Sequence, residues 1–185
     1  MSDPAKWARV MPRGLLLAVA LFAMLWTAGI FVVPLIERSS DETVATTAGL
    51  ARLAYHPVCH QMAHRSLVLG GQPLTVCARC TGLYLGGAVG LALMALGYGR
   101  LRAPGRIWLL AAVAPTVIDF GMGHLTGVSL PNLARLAVAF PAGLMLGAYL
   151  AIGVADLGRS WSRRAGNARS ARTAPTIPDR LRVGG

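Results

Sequence analysis

Long stretches of apolar residues alternate with shorter polar segments along most of the chain. The first stretch covers residues 14–36, which are 23 residues without a charged side chain, and three more cover about 81–99, 107–123 and 133–157. Because a helix rises 1.5 Å per residue, about 20 apolar residues cross a hydrocarbon core about 30 Å thick. The pattern therefore predicts an all-α integral membrane protein, a bundle of four transmembrane helices in a membrane domain over residues 14–157.

The polar segment over residues 37–80 is the one long connection between two apolar stretches. Within it, residues 41–55 are predicted to form a helix, because Ser39 or Ser40 can cap its N-terminus and acidic residues lie in its first turn. The last segment, residues 158–185, is rich in Arg, Ser, Thr and Pro and has few apolar residues. A disordered tail is expected there, since such a composition cannot bury a core.

Lysine and arginine are distributed unevenly over these polar segments. The N-terminal segment 1–13 has three, residues 100–106 have three and the tail has seven, which together are 13 of the 18 basic residues. Basic flanks of membrane helices stay on the cytoplasmic side. Four spans with both termini in the cytoplasm place all 13 on that side and leave the loop 37–80 outside. The expected localisation is the inner (cytoplasmic) membrane, crossed several times.

The composition supports a lipid environment and changes how the net charge is interpreted. Hydrophobic residues make up 55% of the chain and charged residues 14%, whereas soluble domains carry about 25% charged residues. The formal net charge is +11, a value that in a soluble protein would suggest nucleic acid. No basic groove with interleaved aromatic residues accompanies the charge. The expected partner is therefore the lipid bilayer and not nucleic acid, and protein partners stay unknown.

Small residues recur at every fourth position on the second and fourth spans. Such stripes let helix backbones approach closely, and close packing drives helix association in lipid. We therefore predict that these two spans pack against each other. The stripes are Gly82, Gly86 and Gly90 on the second span, and Ala139, Gly143, Gly147, Ala151 and Ala155 on the fourth.

The polar loop carries all three cysteines of the chain and three of its four histidines. Two cysteines form a Cys-x-x-Cys pair directly before the second span, and the third is followed at once by a histidine. A Cys-x-x-Cys turn directs two sulfurs at one point, as in half of a tetrahedral zinc site. The predicted ligands of zinc or another thiophilic ion are Cys59, His60, Cys77 and Cys80, with His56 and His64 as alternatives to His60.

A second group of polar residues surrounds the end of the third span. Asp119 lies about 12 residues, or roughly 18 Å, from the cytoplasmic end of its helix, where a carboxylate usually faces a partner or a cavity. Arg135, near the start of the fourth span, is its expected partner, either in a structural ion pair or in a site. This second cluster consists of Asp119, His124, Asn132 and Arg135, and the topology places it at the same outer face as the cysteines.

Several short motifs are found from the polar loop to the fourth span. They are Cys59-His60-Gln61, Arg65-Ser66, Gly70-Gly71, Cys77-Ala78-Arg79-Cys80-Thr81-Gly82, Asp119 and Asn132-x-x-Arg135. Together they resemble an uncharacterised family of bacterial and archaeal membrane proteins, known as domain of unknown function 2085. The resemblance covers about residues 55–150 and implies the spans and both clusters, without implying a reaction. The family pattern has Gly after the Asp and then Gln, whereas this chain has Phe120 and His124.

Three functions stay open, and whether the chain is an enzyme stays open with them. The first is the metal site. The second is a membrane thiol–disulfide oxidoreductase that uses Cys77 and Cys80, similar to quinone-reducing enzymes that reoxidise periplasmic disulfide catalysts. Arg79 and the helix N-terminus would favour a thiolate there, but such enzymes use a second cysteine pair and only Cys59 is left. The third is a structural subunit or carrier stabilised by a Cys77–Cys80 or Cys59–Cys77 disulfide.

Overall fold

The computed structural model describes residues 4–97, 104–128 and 130–173 of the 185-residue chain. Four of its helices are long and apolar enough to cross a membrane. The described residues form one β-hairpin, made of two strands of two residues each. The all-α class and the four spans are therefore confirmed. The elements are α1 (Pro4–Ile36), α2 (Glu42–Leu53), a 3-10 helix (Ala63–Arg65), β1 (Val68–Leu69), β2 (Gln72–Pro73), α3 (Ala78–Leu96), α4 (Arg106–Leu125) and α5 (Asn132–Thr173).

The helices α1 and α5 extend beyond the apolar stretches that predicted them. α1 begins at Pro4, within the segment 1–13 that was set apart as a basic N-terminus. α5 continues to Thr173, so the expectation of disorder from Gly158 is wrong for residues 158–173. The helix can continue beyond the apolar stretch because arginine and alanine are good helix formers in water and no proline lies between Pro141 and Pro175. Residues 100–103 of the expected loop 100–106, and the tail beyond Thr173, lie outside the described residues.

The short helix α2 is capped by Asp41 and not by Ser39 or Ser40 as predicted. The Asp41 carboxylate accepts hydrogen bonds from the backbone N–H groups of Thr43 (2.9 Å) and Val44 (3.2 Å). A carboxylate at this position is favoured over a hydroxyl because it also interacts with the positive end of the helix dipole. The helix spans Glu42–Leu53, which is shorter than the predicted 41–55.

Helices α3 and α5 form the central pair of the bundle. The glycines on each helix face the backbone of the other: a Cβ atom on Gly86 would collide with the Phe140 carbonyl oxygen, and one on Gly143 with the Leu83 carbonyl. Small residues at such contacts let helix backbones approach closely, which stabilises helix pairs in lipid. α1 packs against both helices of this pair, and α4 packs against α5.

The loop between α1 and α3 is folded onto one end of the bundle. The Tyr55 hydroxyl donates to the Trp26 carbonyl (2.7 Å), and the Thr75 hydroxyl donates to the Ile30 carbonyl (3.0 Å). A small apolar core forms beneath these bonds from Ile30, Tyr55, Cys59, Leu74 and Val76. This core fixes the first cysteine relative to the start of α3.

Candidate functional site

Three cysteine sulfurs meet where the folded loop enters α3. The Sγ atoms of Cys59, Cys77 and Cys80 all lie within 4.8 Å of one another. Cys77 is the N-cap of α3, and Cys80 lies three residues on, which places both side chains on the same face of the helix. Cys59 is buried, the other two are half-buried, and all three are free thiols. The spacing therefore brings three sulfur atoms together, and this trio is called the sulfur cluster below.

Backbone N–H groups point at the sulfur of Cys59. The N–H of Cys77 donates to its Sγ at 3.2 Å, and the N–H of Gln61 donates at 3.5 Å. Gln61 has φ +52°, a left-handed conformation that is uncommon outside glycine, and its side-chain amide donates to the Arg52 carbonyl (2.9 Å). These hydrogen bonds fix the position of the Cys59 sulfur relative to the start of α3.

The hydrogen bond from the Cys80 thiol lowers the pKa of Cys77 to about 5, although burial acts in the opposite direction. Backbone N–H groups of Cys80 and Arg79 add to the decrease, as expected at a helix N-terminus. The lowered pKa favours the thiolate form of Cys77. A thiolate is the form that binds metal ions and attacks disulfides.

The histidines lie outside the sulfur cluster. His60 is exposed and lines a cavity of about 410 Å³ together with the three cysteines, but among the described residues only sulfur atoms form the close group. The predicted set of four ligands is therefore reduced to three. Of the adjacent pair, Cys59 is the residue that faces α3, since the N–H of Cys77 donates to its sulfur. His56 and His64, the alternatives, are exposed as well.

The carboxylate of Asp119 pairs with Arg79, whereas Arg135 was expected to be its partner. Arg79 Nε lies 2.5 Å from Asp119 Oδ2, and the N–H of Leu130 donates to Oδ1 at 3.3 Å. The Arg79 guanidinium also lies 5.6 Å from the centre of the Phe120 ring. Arg79 reaches α4 because it lies in the first turn of α3, between the two cysteines. The spacing of residues along the chain gave no signal for this pairing, because it depends on how α3 and α4 face each other.

The other members of the second cluster have different positions at the same end of the bundle. Asn132 donates from Nδ2 to the carbonyls of His64 (3.2 Å) and Ser66 (3.0 Å), which ties the start of α5 to the loop. His124 is exposed and parallel to Phe120 at 6.4 Å. Arg135 is 6% exposed and lines the same cavity as the cysteines. The structure thus brings the second cluster next to the sulfur cluster through Arg79 and Arg135.

Comparison with known proteins identifies a family that matches the middle part of the chain. Residues 59–149 match the family described as predicted membrane protein (DUF2085). An uncharacterised protein of Methanothermobacter thermautotrophicus is 32% identical over 95 residues, which cover 51% of this chain and 85% of that protein. The chain belongs to the DUF2085 family. The resemblance predicted from the motifs is therefore confirmed.

A second relative matches over a smaller share of its own length. An uncharacterised protein of Methanocaldococcus jannaschii is 32% identical over 99 residues, which are 52% of this chain and 63% of that protein. No solved structure matches the chain. The region matched by the DUF2085 family extends from Cys59 past Arg135 and so contains the sulfur cluster, Arg79, Asp119 and Arg135.

Proposed function

We propose that this DUF2085 protein holds a thiophilic metal ion, zinc in the first place, on Cys59, Cys77 and Cys80. The observation that carries the proposal is the mutual approach of the three sulfur atoms to within 4.8 Å. Thiolates select zinc or Cu(I) over hard cations such as magnesium. Three protein ligands leave a fourth position for water or a ligand, which is typical of catalytic zinc and not of closed structural sites. The cavity of about 410 Å³ beside the cysteines offers room for that ligand.

We further propose that the sulfur cluster faces away from the cytoplasm in the cytoplasmic membrane, with both termini inside. The distribution of basic residues supports this orientation, since 13 of 18 fall on the flanks at the opposite end of the spans. Arginines of the α5 extension, such as Arg163 and Arg164, would then lie near anionic lipid headgroups of the inner leaflet.

Metal analysis of detergent-purified protein tests the metal proposal. We expect about one zinc per chain in the wild type, and a loss of most of it in Cys77→Ser and in Cys59→Ser because two thiolates bind zinc far more weakly than three. His60→Ala is the matched control and keeps its zinc, since its ring lies outside the sulfur cluster. Equal metal content in wild type and Cys77→Ser, or a wild type that takes up no zinc on titration, would contradict the proposal.

The low pKa of Cys77 favours thiol–disulfide exchange as a second candidate function. Oxidation of the Cys77 and Cys80 thiols to a disulfide would pass two electrons and two protons to a membrane quinone, and the disulfide would then oxidise a client dithiol. Alkylation gel shifts in cells distinguish this function from metal binding. A Cys77–Cys80 disulfide that appears and disappears with the quinone redox state supports exchange, whereas thiols that stay reduced throughout exclude it.

A further inference from the structure

A small polar cavity of about 190 Å³ lies between the loop and the ends of α3, α4 and α5. It is distinct from the larger cavity beside the cysteines, although four residues line both: Arg65, Arg79, Phe120 and Arg135. At about 30 Å³ per water molecule, its volume corresponds to roughly six waters. That is smaller than most sites for organic ligands, which occupy about 300–1,000 Å³. The size suits one compact polar group.

The charges around this cavity are not balanced among the described residues that line or contact it. Three arginines line it, and the carboxylate that contacts one of them, Asp119, has both oxygens in use: Oδ2 with Arg79 and Oδ1 with the N–H of Leu130. Three positive charges against one negative charge leave a surplus of two. Arg65 is exposed to solvent, but Arg135 is not.

Arg135 has a buried hydrogen-bond donor without a partner among the described residues. Its side chain is 6% exposed, and its Nε–H is fully enclosed without a hydrogen-bond acceptor in the part of the chain that the structure describes. An enclosed cationic donor without a partner is strongly unfavourable. Arg135 also lies in the first turn of α5, where the helix dipole favours a bound anion over a second cation. An anionic ligand at this position would accept a hydrogen bond from the Arg135 Nε–H and would also interact favourably with the helix dipole.

We propose that this cavity binds the phosphate group of an anionic ligand, either free phosphate or a phospholipid headgroup, between Arg65, Arg79 and Arg135. Guanidinium groups match phosphate oxygens in paired hydrogen bonds. Free phosphate, with a charge of about −1.5 to −2, balances the surplus of two positive charges, whereas the singly charged phosphodiester of a lipid headgroup balances part of it. The ligand would lie directly beside the sulfur cluster, but its binding does not require a metal there.

Binding measurements on the full-length chain in neutral detergent test this proposal with inorganic phosphate as the probe. We expect calorimetric titration to show saturable binding, with affinity reduced about tenfold or more in Arg135→Gln and several-fold in Arg65→Gln, because each loses charge-assisted hydrogen bonds. Arg164→Gln removes the same charge from the exposed far part of α5 and should bind like the wild type. Arg65 is exposed, so its variant reports on binding even if Arg135→Gln fails to fold.

A second arm separates the two sources of phosphate. Native mass spectrometry of protein released from phosphatidylglycerol nanodiscs should show a retained lipid that is lost in Arg65→Gln and Arg135→Gln, if the headgroup is the ligand. Binding of free phosphate, or retention of the lipid, supports the proposal and identifies the source. Absence of both, stronger binding of acetate than of phosphate, or equal binding by Arg65→Gln and Arg164→Gln overturns it. Cys77→Ser should bind phosphate normally. The outcome of the phosphate test therefore does not depend on whether the cysteines bind a metal.

Discussion

At the scale of single residues, Arg79 connects the two polar clusters of the molecule. It lies between Cys77 and Cys80 in sequence, but its side chain points away from the sulfur cluster and donates a hydrogen bond to Asp119 on α4. The Asp119 side chain is only 2% exposed, so the pair is screened little by solvent. The start of α3 is thereby fixed against α4 at the position where the cysteines must be held.

Replacing Asp119 by Asn should destabilise the protein strongly. The change leaves Arg79 without a counter-charge in a largely buried position, and breaking such a pair typically costs about 3–5 kcal/mol. Asp156→Asn is the matched control, because Asp156 and Arg159 form an exposed pair one turn apart, and it should change stability by less than about 1 kcal/mol. Thermal unfolding in detergent measures both variants. Similar melting temperatures for Asp119→Asn and the wild type would show that the pair contributes little.

The sequence predicted the sulfur ligands better than it predicted the partners of the charged side chains. The Cys-x-x-Cys spacing before a helix nearly determines where two sulfurs lie, because both follow from the geometry of one helical turn. The choice of Arg79 over Arg135 as the partner of Asp119 depends on how α3, α4 and α5 are rotated about their axes. Spacing within one helix contains no information on that rotation. The left-handed conformation of Gln61 could not be predicted either, since this conformation is usually predicted from a glycine and the position has glutamine.

At the scale of helices, the glycine stripes organise the bundle. The α3–α5 contact was predicted only from the small residues at every fourth position of both helices. The structure places Gly82, Gly86 and Gly90 against the α5 backbone. The ends of the helices were harder to predict. Hydropathy locates where a helix lies in lipid, but it does not show where the helix stops in water, which is why the extension of α5 to Thr173 was missed.

Two Gly→Ala changes on α5 should have opposite effects on stability. A Cβ on Gly143 would collide with the Leu83 carbonyl, so Gly143→Ala forces the helices apart and should cost about 1–3 kcal/mol. Gly153 has no atom within 4 Å of an added Cβ, so Gly153→Ala should be neutral or stabilising by up to about 1 kcal/mol. Thermal unfolding of both variants in the same detergent provides the comparison. A Gly143→Ala protein as stable as Gly153→Ala would contradict the close α3–α5 contact.

At the scale of the whole molecule, the two ends of the bundle differ in structure and charge. One end carries the folded loop, the sulfur cluster and the arginine-lined cavity. The other end carries the basic start of α1 and the arginine-rich extension of α5. This polarity supports an orientation in which ligands reach the cysteines from outside the cell while basic flanks hold the chain in the inner leaflet.

Thiol labelling in right-side-out membrane vesicles tests the central claim most directly, because it examines metal binding and orientation together. A membrane-impermeant maleimide should leave the three native cysteines unmodified until an impermeant zinc chelator is added outside, and should then label them. Val68→Cys, on the exposed hairpin of the loop, should be labelled at its added cysteine with or without the chelator. Native cysteines labelled equally without the chelator, or labelled only in inverted vesicles, would contradict an outward-facing metal centre.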